Sequence, residues 1–423
     1  MDIKFGRYTN AFRGGIKNDL WKESEALYFD EIKYIDSYMK FFEYLKDEEV
    51  NNVEYERTGE EIKFIVKQGS KHITGSIDAT KITAISEIAL MEKLSVPVMR
   101  KLLEHNYTLF YSKFALDNDR AILKFDSANK ACQPEKLYYA LRELALRGDK
   151  SDDLLISDFS ALKPLNEHKI PLPADVLDLK YKYFTKWINE VIAKANDKQI
   201  IDKYSGAVSY MFLNMIYRID YILHPEGALL NRLEKISSNY FAKDNKSLLE
   251  KIEIMKKGFE EILSLEKNKI SEGFYDVIST FGITNPTQHA AVQDTFKNNL
   301  QNVDYYINEK KEEYALLIFE YLAGYCLYSY GLPKPTRDLL HIVFVILNED
   351  FFREAGVKEL YYSGSAKTFD EKLLKERISK IIEEAKEDFP LADIKLENLK
   401  FNTLIAFLKS YINEINQLNY NKE

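Results

Sequence analysis

Between Asn52 and Gly148 the apolar period alternates between two and that of a helix, with Gly and Asn marking the turns. No other feature restricts the fold as strongly. Val53 and Tyr55 face the run Ile62, Phe64, Val66 across Thr58-Gly59-Glu60, the pattern of a half-buried hairpin. A turn at Gly69-Ser70 leads into a third strand through Ile73, Gly75 and Ile77. Ile82 to Leu90 fits period two through Ala84, Ser86 and Ile88 and a helix face through Ile85, Ile88 and Ala89; we read it as a strand.

Ser95 stands where it caps a helix opening at Val96-Pro97 and ending near His105-Asn106, because proline suits a first turn whose N–H groups lack partners. The run Tyr107 to Leu116 then turns at Asp117-Asn118-Asp119 into Ala121, Leu123 and Phe125. This second hairpin is expected to put Phe110, Phe114 and Phe125 on one face. A closing helix from Gln133-Pro134 points Leu137, Leu141, Leu144 and Ala145 inward, and Gly148 is expected to end it in a left-handed cap.

Ahead of this stretch, Phe29 to Asp47 reads as a helix with the inward stripe Ile32, Ile35, Met39, Phe42 and Leu45. The element order, with Ser95 to Asn106, Phe114 to Asp117 and Ala121 to Phe125, resembles the type III secretion chaperone-like fold, a group that includes the YbjN-like proteins. The resemblance spans roughly residues 29–160. It implies a domain that binds other polypeptides rather than one that catalyses, and pairing as a homodimer. Such chaperones are shorter than the 423 residues here.

A chain of this length accommodates two or three domains, and 46% hydrophobic with 30% charged residues marks it as globular. The net charge of −8 argues against a broad nucleic-acid footprint. Cys132 and Cys326 lie far apart, which fits a reducing compartment. No apolar run approaches the roughly 18 residues of a membrane span, and Met1 to Gly6 lacks a signal-peptide core, so a cytoplasmic location is expected.

Residues 1–27 have few apolar anchors and read as an N-terminal arm. Gly14-Gly15 is no phosphate loop, having neither a preceding buried strand nor a lysine-serine pair. The α+β domain is placed at 28–160. Pro164, Pro171 and Pro173 mark a linker at 161–174, and an all-helical domain follows over 175–423. Leu177 to Ile192 and Tyr204 to Ile222 each carry one apolar helix face, and His224-Pro225-Glu226-Gly227 ends the second. Tyr305 to Tyr330 and Pro335 to Asn348 are apolar enough to form the centre of this domain. Thr368 and Glu371 have capping-box spacing, and a last helix is expected from Leu396 to Gln417.

Asp338 and His341, three apart, and Asp220 and His224, four apart, put carboxylate and imidazole on shared helix faces, as a metal-holding bundle does. Glu320 is a further candidate, but the repeated Glu-x-x-His pairs of di-iron bundles are missing, so no metal or other cofactor is expected. His72 and His289 have no nearby nucleophile, and Cys326 lies on an apolar helix face as an inert thiol. Arg218, within Ile216-Tyr217-Arg218-Ile219-Asp220, must reach solvent or find partners; the choice is between an internal ion pair and an anionic ligand.

The leading expectation is therefore a non-enzymatic protein-binding adaptor that grips another polypeptide through Phe64, Phe110 and Phe114 or a helical groove, with neither nucleic acid nor membrane as partner. The alternative is an enzyme or small-ligand receptor whose site gathers Arg218, Asp220, His224, Asp338 and His341 in the helical domain. A third reading, a scaffold presenting surfaces for assembly, is indistinguishable from the first by sequence.

Overall fold

The computed structural model describes residues 3–6, 15–165 and 168–421. The chain forms two compact units, Arg13–Pro171 with Tyr275–Ile283, and Met1–Phe12 with Leu172–Phe274 and Thr284–Glu423.

In the first unit, α1 (Gly15–Phe29) and α2 (Tyr34–Leu45) precede four strands, β1 (Val53–Thr58), β2 (Glu61–Gly69), β3 (Lys71–Ile77) and β4 (Lys81–Leu90). Helix α3 (Val96–Asn106), β5 (Lys113–Asp117), β6 (Arg120–Ala128) and α4 (Pro134–Asp158) follow. The short strands β7 (Lys163–Pro164), β8 (Ile170–Pro171), β9 (Tyr275–Asp276) and β10 (Ile278–Ser279) complete it. The sheet is antiparallel with order β1-β2-β3-β4-β6-β5; β10 extends beside β2 and β7 beside β4.

Alternation sends Val53, Ile62, Phe64, Val66, Ile73 and Leu123 to one face, where Tyr38, Phe41 and Phe42 of α2 and Leu137, Leu141 and Leu144 of α4 close the core. The sheet's other face bears Lys63, Ile65, Thr74, Ser76, Thr83 and Ile85 around a shallow trough of about 710 Å³. An α+β unit followed by a mostly helical region is thus the architecture found, and Ile82 to Leu90 is a strand, as expected.

Several local expectations are corrected. The expected arm is helical from Gly15, and Trp21 packs on Tyr44 and Tyr138, while Phe5 joins the helical unit against His341 and Phe352. The expected helix from Phe29 is interrupted at Ile32, which has φ of 56° and is exposed. Two short pieces of the expected linker are paired: Pro164 lies opposite Ala89, and Ile170 opposite Asp276. No side-chain hydrogen bond from Ser95 caps α3. Gly148 lies inside α4, where a Cβ would meet Ser86 Oγ at 2.6 Å, so it permits the close crossing of α4 over β4 rather than a cap.

The return of the chain at 275–283 has no counterpart in the sequence reading. The Gln68 side chain accepts hydrogen bonds from the N–H of Thr280 (3.2 Å) and Phe281 (2.9 Å), Thr280 Oγ1 donates to the Lys67 carbonyl (2.7 Å), and Phe281 enters the sheet core.

The second unit consists of α5 (Ala174–Ala195), α6 (Lys198–Arg218), α7 (Gly227–Phe241), α8 (Leu248–Leu263), α9 (Lys267–Ser271), α10 (His289–Asn308), α11 (Glu312–Ser329), α12 (Lys334–Leu347), α13 (Glu349–Glu354), α14 (Glu371–Ala385) and α15 (Leu404–Asn416). A hairpin of β11 (Tyr362–Ser363) and β12 (Thr368–Phe369) precedes α14. Asp370, not Thr368, caps α14 through the N–H of Leu373, and the last helix begins at Leu404 rather than Leu396. Helix α6 runs into one π-helical turn over Ile219–Leu223, which ends at His224 with φ of 51°. Helices α6, α11 and α12 pack at the centre, with Phe212, Ile216, Ile318, Leu322, Leu340 and Phe344 fully buried.

Candidate functional site

In the first unit, an aromatic grip was expected from Phe64, Phe110 and Phe114, and the structure separates them. Phe64 and Phe114 are buried in the core. Phe110 is 89% exposed, because it precedes β5 and the strand's alternation has not begun. Glu143 on α4 fixes that loop: its carboxylate accepts the backbone N–H groups of Phe110 (2.8 Å), Tyr111 (2.9 Å) and Ser112 (2.8 Å) and the Ser112 hydroxyl (2.7 Å). Asn106, at the end of α3, blocks the edge of β5. Its Oδ1 accepts the Phe114 N–H (2.6 Å), and its Nδ2 donates to the Phe114 carbonyl (3.2 Å).

With the loop held this way, Phe110 and Tyr107 (95% exposed) stand out beside α3, whose Val98 and Leu102 face inward while Val96 and Leu103 face solvent. Leu94, Val96 and Leu103 are each more than half exposed, so the segment 94–110 concentrates large exposed apolar side chains. The nearby acids are engaged: Glu92 pairs with Lys163, Glu104 with Lys101, and Glu143 holds the loop. Lys93, Arg100 and Arg147 are exposed and make no ion pair among the described residues, which leaves the segment a basic margin in an acidic chain.

In the second unit, Arg218 and His341, two of the five expected site residues, have different hydrogen-bond partners among the described residues. Arg218, at the end of α6, donates from Nε to Glu320 Oε1 at 2.7 Å and from Nη2 to Glu320 Oε2. Asn214 Nδ2 donates to Oε2 (2.6 Å) and Asn348 Nδ2 to Oε1 (2.7 Å), and Arg218 lies over the Trp187 ring at 5.2 Å. Burial alone would push the Glu320 carboxyl up; Arg218 and the two amides outweigh it and hold the group below its usual range. Burial likewise opposes the Arg218 charge, and Glu320 reverses the effect, so the guanidinium is shifted upward. Of the two alternatives for Arg218, the internal ion pair is the one present.

His341 instead shares a 2.9 Å hydrogen bond between its Nδ1 and the Tyr221 hydroxyl. Asp338 pairs with Lys334 (2.9 Å) and Arg337 (3.2 Å). His224 Nε2 lies 3.1 Å from Glu226 Oε1, and Asp220 is buried in the π turn. Among the described residues no three His, Cys, Asp or Glu side chains are grouped to hold a metal ion. Both cysteines are buried, and burial pushes the Cys132 thiol up to about 11. His289 Nε2 hydrogen-bonds the Ile415 carbonyl (3.0 Å), and His72 stacks on His168 at 3.5 Å.

Burial lowers the His341 pKa to about 4 from its ordinary 6.5, with Asp338 opposing and Arg377 and Arg337 assisting. A base depressed by folding holds its stability above the unfolded pKa and loses it as pH falls toward the folded one. Wild-type protein is thus expected to lose at most about 3 kcal/mol from this group between pH 6.5 and 4, at ~1.4 kcal/mol per unit. Urea midpoints at pH 7 and pH 4.5 measure it. His341→Gln should flatten the difference, and an unchanged pH slope would refute the assignment.

Sequence reasoning missed Glu143, Asn106, Asn214 and Asn348, all polar residues whose partners lie on other elements. In the first unit it also missed Lys71, fully buried with Asp152: Lys71 Nζ lies 3.1 Å from Asp152 Oδ2 and donates to the Leu165 carbonyl at 2.7 Å. Ser70 Oγ donates to the same Asp152 oxygen at 2.9 Å. Among the described residues no helix is long and apolar enough to cross a membrane. No protein-family model matches the chain, and no curated protein matches it in sequence.

Proposed function

We propose that the protein is a non-enzymatic adaptor that holds an amphipathic, acid-flanked helix of another polypeptide against α3 and the 107–112 loop. The observation that carries this reading is the cluster Leu94, Val96, Leu103, Tyr107 and Phe110, all outward on a loop and helix that Glu143 and Asn106 hold in place. Val96 and Leu103 are seven apart on one helix face, which suits a partner helix with anchors at similar spacing. Strand addition to β5 is disfavoured because Asn106 occupies the outward backbone groups of Phe114. Lys93, Arg100 and Arg147 favour carboxylates beside the partner's apolar face. The order of elements, similar to that of secretion chaperones, supports the same reading, and two buried thiols suit a reducing cytoplasm.

Selection of a peptide library displayed on phage against the full chain tests the proposal. Enriched peptides are expected to combine aromatic or aliphatic anchors at helical spacing with flanking Asp or Glu. Leu103→Asp and Phe110→Asp each weaken them by about tenfold or more, the effect of losing an interface anchor worth over 1 kcal/mol. Arg100→Glu shifts the preference away from acidic flanks. No enrichment, or peptides that bind the variants equally well, refutes it. So does a dimer that Leu103→Asp dissolves, which would make a second copy the occupant.

A further inference from the structure

We infer that the cleft lined by α5, α6 and α11 of the helical unit binds a small organic cation, a protonated amine on an apolar body. The cleft encloses about 430 Å³, and Met211, Met215, Leu316, Leu317 and Leu347 supply its apolar wall. A volume of this size suits a small molecule. The inference does not depend on the polypeptide reading, because it concerns a different unit and a different chemistry.

The charges that line the cleft decide the ligand's head group. Lys194 and Arg218 are its cations, and Glu190, Glu313 and Glu320 its carboxylates. Arg218 is held by Glu320 in the buried pair, and Lys194 on α5 reaches Glu313 on α11 at 3.1 Å. Glu190 precedes Lys194 by one turn of α5, the spacing at which the two could pair, yet it makes no ion pair among the described residues. Were Lys194 to turn to Glu190 instead, Glu313 would lose its cation. However the pairs are drawn, three carboxylates face two cations, so one negative charge stays uncompensated.

That charge belongs to the rim. Glu190 and Glu313 are exposed, whereas Glu320, Met211 and Met215 are buried and Leu316, Leu317 and Leu347 half-buried. A ligand lays its apolar body along the wall and leaves its ammonium at the solvent edge, where it keeps much of its water and escapes the cost of burying a charge. Burial of the body supplies most of the affinity, and the excess carboxylate selects the sign of the head. A carboxylate head meets the same excess as repulsion, and a neutral head gains nothing from it.

Full-length protein carrying ¹³C-methyl methionine, titrated at pH 7 with 3-phenylpropylamine, 3-phenylpropanol and 4-phenylbutanoate, tests the inference. The phenyl ring is expected to shift the methyl signals of Met211 and Met215 saturably. The amine should bind about threefold to fivefold more tightly than the alcohol, the size of one solvent-facing ion pair, and the carboxylate more weakly than the alcohol by a similar factor. Salt at about 0.5 M should remove most of this spread and leave the alcohol unchanged. Glu190→Gln, a substitution at an exposed position, should bring the amine to the affinity of the alcohol without moving the alcohol itself, and Glu190→Lys should favour the carboxylate. No saturable shift at either methionine, equal binding of the three ligands, or an amine preference that survives Glu190→Gln would overturn the inference.

Discussion

Glu320→Leu is expected to destabilise the helical unit by about 3–5 kcal/mol, the loss seen when one member of a buried pair is removed and the other charge stays behind. The substitution removes the carboxylate that is hydrogen-bonded to Arg218 and leaves the guanidinium against Trp187; it also takes an acceptor from Asn214 Nδ2 and one from Asn348 Nδ2, which keeps the Phe344 carbonyl. Urea denaturation followed by tryptophan fluorescence reads the change, since Trp187 lies against the guanidinium. Combining Glu320→Leu with Arg218→Met should recover a large part of the loss, because the penalty comes from isolation of a charge rather than from absence of the pair. A single variant within about 1 kcal/mol of wild type would mean that Arg218 swings to solvent when released.

Asp152→Leu should have an effect of similar size on the sheet unit. Lys71 is as buried as a core phenylalanine, and without Asp152 its ammonium keeps only the Leu165 carbonyl as a described partner. Loss of about 3–5 kcal/mol is expected. It should appear as reduced hydrogen-exchange protection of the β2–β3 and α4 amides, with little change in α10–α15. Protection that falls evenly throughout the chain, or nowhere, would contradict the assignment. Lys71→Met with Asp152→Leu should again regain much of the difference.

The sheet was legible because its turns are punctuated. Gly59 and Gly69 have positive φ, and Asn118 stands at φ of 54° in the second hairpin, so backbone chemistry marked where alternation had to reverse. The hidden features depend on contacts between distant residues. Gly148 has the composition of a helix end, yet it is needed for the approach of Ser86, a residue on β4 that no local window connects to it. Phe110 fits an alternating run when read from Phe114, but Glu143, thirty-three residues away, draws the preceding backbone into a loop. Arg218 was legible as a charge in need of a partner, because an arginine in an apolar helix permits few alternatives. Asn214 and Asn348 were not, since asparagine is equally at home in caps, turns and exposed positions.

The excursion of the chain between Pro171 and Tyr275 bears on how the protein is made. As the polypeptide leaves the ribosome, the sheet's own amino-terminal strands are out long before Thr280 and Phe281, and the Gln68 amide has nothing to hold until they arrive. The first unit therefore cannot mature ahead of the helices encoded inside it, and a nascent chain stalled within 172–274 carries an incomplete core that quality-control factors would recognise as unfinished.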